Sequence, residues 1–163
     1  MSENRQHQFS VAFDDPLAGI QKGLSMSGLD YIRAMQAGEI VVPIALLMGM
    51  SVAEVEAGRV VFSGRPGLHH YNPLGTVHGG FYATLLDSAM GCAIHTTLPQ
   101  GTGYTTLQLN VHFLRPITAE MDIVYCEGTV VHSGRRQATA EGRLIDASGK
   151  VYGHGTTTCA ILK

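Results

Sequence analysis

Between Arg65 and Arg115 the chain carries a single Asp, Glu, Lys or Arg, and it is Asp87, in the middle of the run FYATLLDSAMGCAIHTTL. That run is apolar almost all the way round, the pattern of a helix buried within a core rather than laid on its surface. On such a helix the residues three and four positions away are Ala83, Thr84, Met90 and Gly91, and none can neutralise a carboxylate. An unpaired carboxylate in those surroundings is costly. It either reaches solvent or distant backbone N–H groups through a gap, or lines a cleft as general base for water or nucleophile towards an activated carbonyl.

His78-Gly79-Gly80 opens the same helix. The first N–H groups of a helix have no intrahelical partners and lie at the positive end of its dipole. Glycines there allow a close approach, so the Gly79 N–H is a candidate donor to a developing oxyanion, with Gly80 beside it. Eight residues separate Gly79 from Asp87, a rise of roughly 12 Å. One molecule's pair therefore cannot share one carbonyl. A two-fold dimer resolves this if the helix N-terminus of one copy faces the middle of the helix in the other.

The elements that must position these groups follow from pattern. Residues 1 to about 25 show no clear periodicity and read as an extension in which function is not expected to start. Ser27 caps a predicted helix through Gln36, with Leu29, Ile32 and Met35 at helical spacing, and Pro43 opens a short second helix ending at Gly49. From Met50 two β-prone runs flank Ala57-Gly58, a hairpin signal. A turn-rich segment, GLHHYNPLGTVHGG, leads into the long helix, which Leu98-Pro99-Gln100-Gly101 ends. Four β-type stretches follow: Thr105 to Arg115, Met121 to Val131, Gln137 to Ile145 and Val151 to Ile161. The last three form a predicted meander, and the plan is α+β, an antiparallel sheet wrapped around a long central helix.

The segment Asn72-Pro73-Leu74-Gly75-Thr76-Val77-His78-Gly79-Gly80, followed by Leu85-Leu86-Asp87-Ser88-Ala89, closely resembles the signature of the PaaI-type (phenylacetate-degradation-type) hotdog acyl-CoA thioesterases. The resemblance runs from about Gly49 to the C-terminus and includes Leu109 to Pro116 and the turn Gly134-Arg135-Arg136. It implies a hotdog domain over residues 49–163, preceded by an N-terminal extension with a helical lead-in over 1–48. It further implies that Asp87 is base or nucleophile and that the Gly79 N–H polarises the thioester carbonyl. Asn72 then orients that carbonyl or the attacking water. Thr106, with Thr105 as rival, helps to place the water. His78 is implied to fix the helix entrance by hydrogen bonds, with direct proton transfer as its other reading. Arg135 and Arg136 are candidate contacts for coenzyme A phosphates, with Arg115 a further anion contact. His69 and His70 either line the acyl pocket or stand exposed on their loop. The pocket floor is expected to include Phe81, Tyr82, Met90 and the lead-in of residues 27 to 49.

Composition narrows the partners. Hydrophobic residues make up 45% of the 163 and charged residues only 15%, which points to surface covered in a homodimer or a dimer of dimers (homotetramer). A net charge of −2 with a pI near 6.4 gives no electrostatic case for nucleic acid or an anionic membrane. Cys92, Cys126 and Cys159 are spaced too widely for a zinc site and read as reduced core residues. The polar N-terminus lacks the apolar run of a signal sequence, so the expected location is cytoplasmic. No metal or organic cofactor is expected, coenzyme A being part of the substrate. The competing functions are an acyl-CoA sensor without turnover and a hotdog enoyl-CoA hydratase or dehydratase.

Overall fold

The structure, a computed structural model, describes residues 5–163. Three short helices precede the sheet. The first, α1 (Pro16–Gly23), lies within the extension of residues 1 to about 25, where the sequence shows no clear periodicity. Its start is a local signal: Asp15 accepts from the Leu17 N–H at 2.9 Å and Pro16 occupies the first turn. Eight residues are simply too few to display a period. Helix α2 (Gly28–Gln36) starts at Ser27, whose hydroxyl accepts from the Asp30 N–H at 3.2 Å, and α3 (Pro43–Leu47) begins at its proline.

Strands β1 (Met50–Glu56) and β2 (Arg59–Gly64) form the hairpin, turning at Gly58 with φ +81°. A loop with a single 3-10 turn, Leu68–His70, leads to the long helix α4 (Gly79–His95). This helix stops three residues before the expected Leu98. The hydroxyls of Thr96 and Thr97 fold back on the carbonyls of Ala93 and Ile94 at 2.6 and 2.7 Å, and the Gly58 N–H donates to Thr96 at 2.8 Å. Side chains thus take up the last helical carbonyls.

Strands β3 (Gly103–Phe113), β4 (Val124–Ser133), β5 (Gln137–Asp146) and β6 (Val151–Leu162) complete one antiparallel sheet in the order β1-β2-β4-β5-β6-β3. β3 starts two residues earlier than predicted because Gly103 pairs with Leu162. β4 starts three residues later, since the Met121 N–H closes a turn on the Thr118 carbonyl. The chain runs from β2 through α4 to β3 at the far edge, so the helix crosses the whole concave face. Leu85, Leu86, Ala89, Met90, Ala93 and Ile94 of α4 are fully buried against Val60, Phe62, Val124, Cys126 and Leu144 of the sheet.

Three glycines seat the helix. Gly128, Gly142 and Gly155 lie side by side in register across β4, β5 and β6. A Cβ at Gly128 would stand 2.4 Å from the Ala89 carbonyl carbon and oxygen, and one at Gly142 would meet Met90 Cγ at 3.0 Å. Glycine within a strand marks such a close backbone approach. Gly128→Ala is therefore expected to destabilise the fold by about 3 kcal/mol, because the neighbour it strikes is rigid backbone. Urea unfolding of wild type and variant measures this, and an unchanged midpoint would contradict the seating argument.

Candidate active site

The carboxylate of Asp87 is half-buried on the face of α4 turned towards β3. Its Oδ1 accepts from the hydroxyl of Thr106 at 2.9 Å. Among the described residues it forms no ion pair. The β3–β6 register slips between Thr106 and Gln108, a bulge that re-aims the strand next to this contact. Thr105, the rival, is exposed and makes no bond to Asp87. The carboxylate opens onto a cavity of about 550 Å³, shared with Ser88, Tyr104 and Thr106.

The same cavity is walled by α1 and α2, through Ile20, Leu24, Tyr31 and Met35. Residues of the lead-in between 27 and 49 line this cavity, and its wall extends upstream to α1. The other residues expected on the pocket floor lie outside this cavity. Phe81 and Met90 are core residues, 1% and 0% exposed, and Tyr82 faces a different groove, donating its hydroxyl to the Arg115 carbonyl at 2.8 Å. Tertiary packing turned Phe81 and Met90 into the core between helix and sheet.

Burial sets the ionisation of the groups around Asp87. The Cys92 thiol is pushed up to about 12 by desolvation, against a smaller opposing effect of its hydrogen bond with Tyr104, so it stays a thiol and is no nucleophile. Desolvation, reinforced by Cys92 and Asp87, holds the Tyr104 phenol well above its ordinary value. Desolvation also lowers the pKa of His95, which remains a neutral imidazole. Among the described residues Asp87 is the only Asp, Glu, Lys or Arg that lines the cavity.

The second set of predicted residues lies around a separate groove of about 770 Å³, lined by Asn72, His78, Gly79, Gly80 and Arg115. Asn72 organises the loop. Its Oδ1 accepts from the N–H groups of Leu74 and Thr76 at 2.9 and 3.2 Å, and its Nδ2 donates to Thr76 Oγ1 at 3.0 Å. Gly75, at φ +79°, makes the tight turn within it. His78 caps the helix: its Nδ1 accepts from the Gly80 N–H at 2.8 Å. In the neutral ring the proton then sits on Nε2, which leaves no lone pair facing outward for a base. The Gly79 N–H, in the first turn, has no acceptor among the described residues, and a Cβ at Gly79 would meet the Phe113 ring at 3.0 Å.

The remaining predicted residues are dispersed. Arg135 and Arg136 are exposed on the β4–β5 turn, where the Arg136 carbonyl accepts from the Ile161 N–H at 2.9 Å. Ile161 lies beside Tyr104 in the β3–β6 ladder, so the arginines share the sheet end that carries the Asp87 cavity. Arg115 sits at the opposite end and donates to the Val151 carbonyl. His69 and His70 line neither cavity: His70 is buried on Phe81, and His69 is stacked on Phe9 at 3.9 Å between ring centres. Ser88, Tyr104 and the α1 residues are site neighbours that sequence reasoning missed. The Asp15-Pro16 start signal was the one trace of α1 in the sequence.

Residues 74–152 match the thioesterase superfamily model. A Halobacterium salinarum protein named for esterase activity is 41% identical over 69 residues, and that match spans 44% of its length and 41% of this chain. Human acyl-coenzyme A thioesterase 13 is 27% identical over 110 residues, 67% of this chain and 77% of that protein. Among solved structures, a phenylacetic acid degradation-related protein of Ralstonia eutropha JMP134 is 30% identical with a TM-score of 0.72, covering 80% of this chain and 98% of that one. The E. coli PaaI protein shares the fold at 19% identity with a TM-score of 0.73, covering 86% and 96%. With the central helix, the wrapped antiparallel sheet and the signature loop all in place, the chain belongs to the thioesterase superfamily as a PaaI-type hotdog thioesterase.

Proposed function

We propose that the protein hydrolyses acyl-CoA thioesters to coenzyme A and a carboxylic acid, with Asp87 as general base or nucleophile. One observation carries this reading: the only charged group on an apolar cavity wall is a carboxylate held by a threonine hydroxyl. The Thr106 bond occupies Oδ1 and leaves Oδ2 for water or for direct attack on the carbonyl. Polarisation of that carbonyl falls to the Gly79 N–H, held in place by the His78 cap and the loop that Asn72 ties. Asn72 keeps one amide hydrogen uncommitted, available to orient the carbonyl or the water. A hydratase needs an imidazole beside the carboxylate; His95 shares the cavity but stands eight residues along the same helix, roughly 12 Å away.

Asp87 and Gly79 open into different cavities of one chain, so the complete site requires a homodimer. β3 is an edge strand with Leu107 and Phe113 more than half exposed, and an unpaired edge of this kind is a template for a second strand. Antiparallel pairing of β3 with its copy about Leu109 and Asn110 sets Thr106 of one protomer against Phe113 of the other. That brings the Asp87 cavity of one copy to the Gly79 groove of its partner. Arg135 and Arg136, at the cavity's end of the sheet, are placed to meet the coenzyme A phosphates.

Thiol release from an acyl-CoA panel tests the chemistry. Asp87→Asn is expected to lower turnover about a thousandfold with no loss of thermal stability, since it removes a charge that has no ion-pair partner. Wild-type-like turnover in this variant would refute the assignment. Mixing Asp87→Asn with Gly79→Val subunits after joint refolding is expected to restore about one quarter of wild-type activity, because half of the mixed dimers' sites are intact. No recovery from a mixture shown to contain heterodimers would place the whole site within one chain.

A further inference from the structure

We infer that the cavity beside Asp87 is an acyl chamber for an uncharged, flexible aliphatic chain, and that α1 is its movable roof, with Ile20 and Leu24 limiting the chain length it holds. The inference rests on the reading of Asp87 as the catalytic carboxylate. Continuity is the first support, since Ile20 and Leu24 line the same cavity as Asp87 and Thr106. A volume of about 550 Å³ lies within the usual range of small-molecule sites.

Charge and shape then choose the ligand. The lining contains no Lys, Arg or Glu, so nothing there would pair with a second carboxylate or another charge on the acyl group. The aromatic rings on the wall are already covered. Tyr31 is pressed against Gly23, where a Cβ would stand 2.3 Å from the ring, and it lies 5.3 Å from the His95 ring. Tyr104 is pressed on Gly91 and lies 5.4 Å from His95. The apolar part of the remaining wall is largely aliphatic and thioether, with Ile20, Leu24, Met35, Val42 and Ile44 among its residues. Flexible aliphatic and thioether side chains suit a flexible chain.

Attachment distinguishes roof from wall. Helix α2 is anchored: Ile32 is 1% exposed, the Gly28 N–H donates to the Leu98 carbonyl at 3.1 Å, and Gln36 Nε2 donates to the Ala53 carbonyl at 2.8 Å. Helix α1 has no buried residue, and Ile20 and Leu24 are 52% and 66% exposed. It is tied down by small contacts of Gly19 and Gly23 and by an exposed Lys22–Glu39 ion pair at 2.8 Å, an interaction of little strength in water. An element with few buried contacts opens at low cost, and an acyl chain beneath it supplies the apolar partner that the helix lacks.

The test compares wild type with Leu24→Trp, a surface change that circular dichroism can verify as folded. The readout is the ratio of kcat/KM for dodecanoyl-CoA to that for propionyl-CoA, with benzoyl-CoA as the aromatic control. Filling the roof is expected to lower the ratio about tenfold or more, the usual scale of discrimination by an apolar pocket. An unchanged ratio, or a wild type that prefers benzoyl-CoA to dodecanoyl-CoA, overturns the inference. Should wild type release thiol from no substrate, the catalytic reading fails by itself, and titration calorimetry with dodecanoyl-CoA decides the chamber. Binding weakened tenfold by Leu24→Trp upholds it; equal binding, or none to wild type, overturns it.

Discussion

Everything chemical in this protein depends on how closely α4 can settle on the sheet. The row Gly128, Gly142, Gly155 removes three side chains from adjacent strands and lets helical backbone reach strand backbone at Ala89. A helix seated so deeply is covered on most of its circumference, and Leu85, Leu86, Ala89, Met90, Ala93 and Ile94 have no exposed surface. Only the sector towards β3, the lead-in helices and the loop before Gly79 remains for ligands. Asp87 lies in that sector, which is why a carboxylate can stand in an otherwise apolar element.

The seated helix also fixes a separation. Its N-terminus offers unpaired N–H groups and a positive dipole end, while its middle offers a carboxylate two turns away. A rigid helix cannot bend to bring them together, and the structure keeps them in different cavities. β3 runs past both, with Thr106 bonded to Asp87 and Phe113 against Gly79. The same strand is an edge of the sheet, so the element bordering both cavities also carries a row of unpaired backbone groups.

Local hydrogen bonds make the entrance to α4 stiff. Asn72 closes its turn through three side-chain contacts, His78 caps Gly80, and the His78 N–H donates to the His70 carbonyl at 2.8 Å. Val77 is tied to the Ile117 carbonyl at 2.9 Å, which links the loop to the segment after β3. A donor preorganised in this way need not be reoriented when negative charge develops on a bound carbonyl. Around Asp87 the logic is the reverse: burial disfavours the charged forms of Cys92, Tyr104 and His95, its neighbours in the cavity.

The helix, the hairpin, the meander and the isolation of Asp87 were all legible in the sequence, because each rests on period, turn chemistry or a missing charge within a short window. Asp87 could be singled out since no compensating residue lies one helical turn away. The three glycines were visible one by one, but their alignment across β4, β5 and β6 is a matter of register. The choice of Thr106 over Thr105 follows from a bulge, and the place of α1 over the cavity follows from contacts between segments more than sixty residues apart. Which faces of α4 pack and which line a cavity was likewise decided by the sheet, moving Phe81 and Met90 into the core. Local chemistry is written in neighbouring residues; long-range contacts exist only once the chain has folded, because the free energy that selects them comes from burying surfaces far apart in sequence.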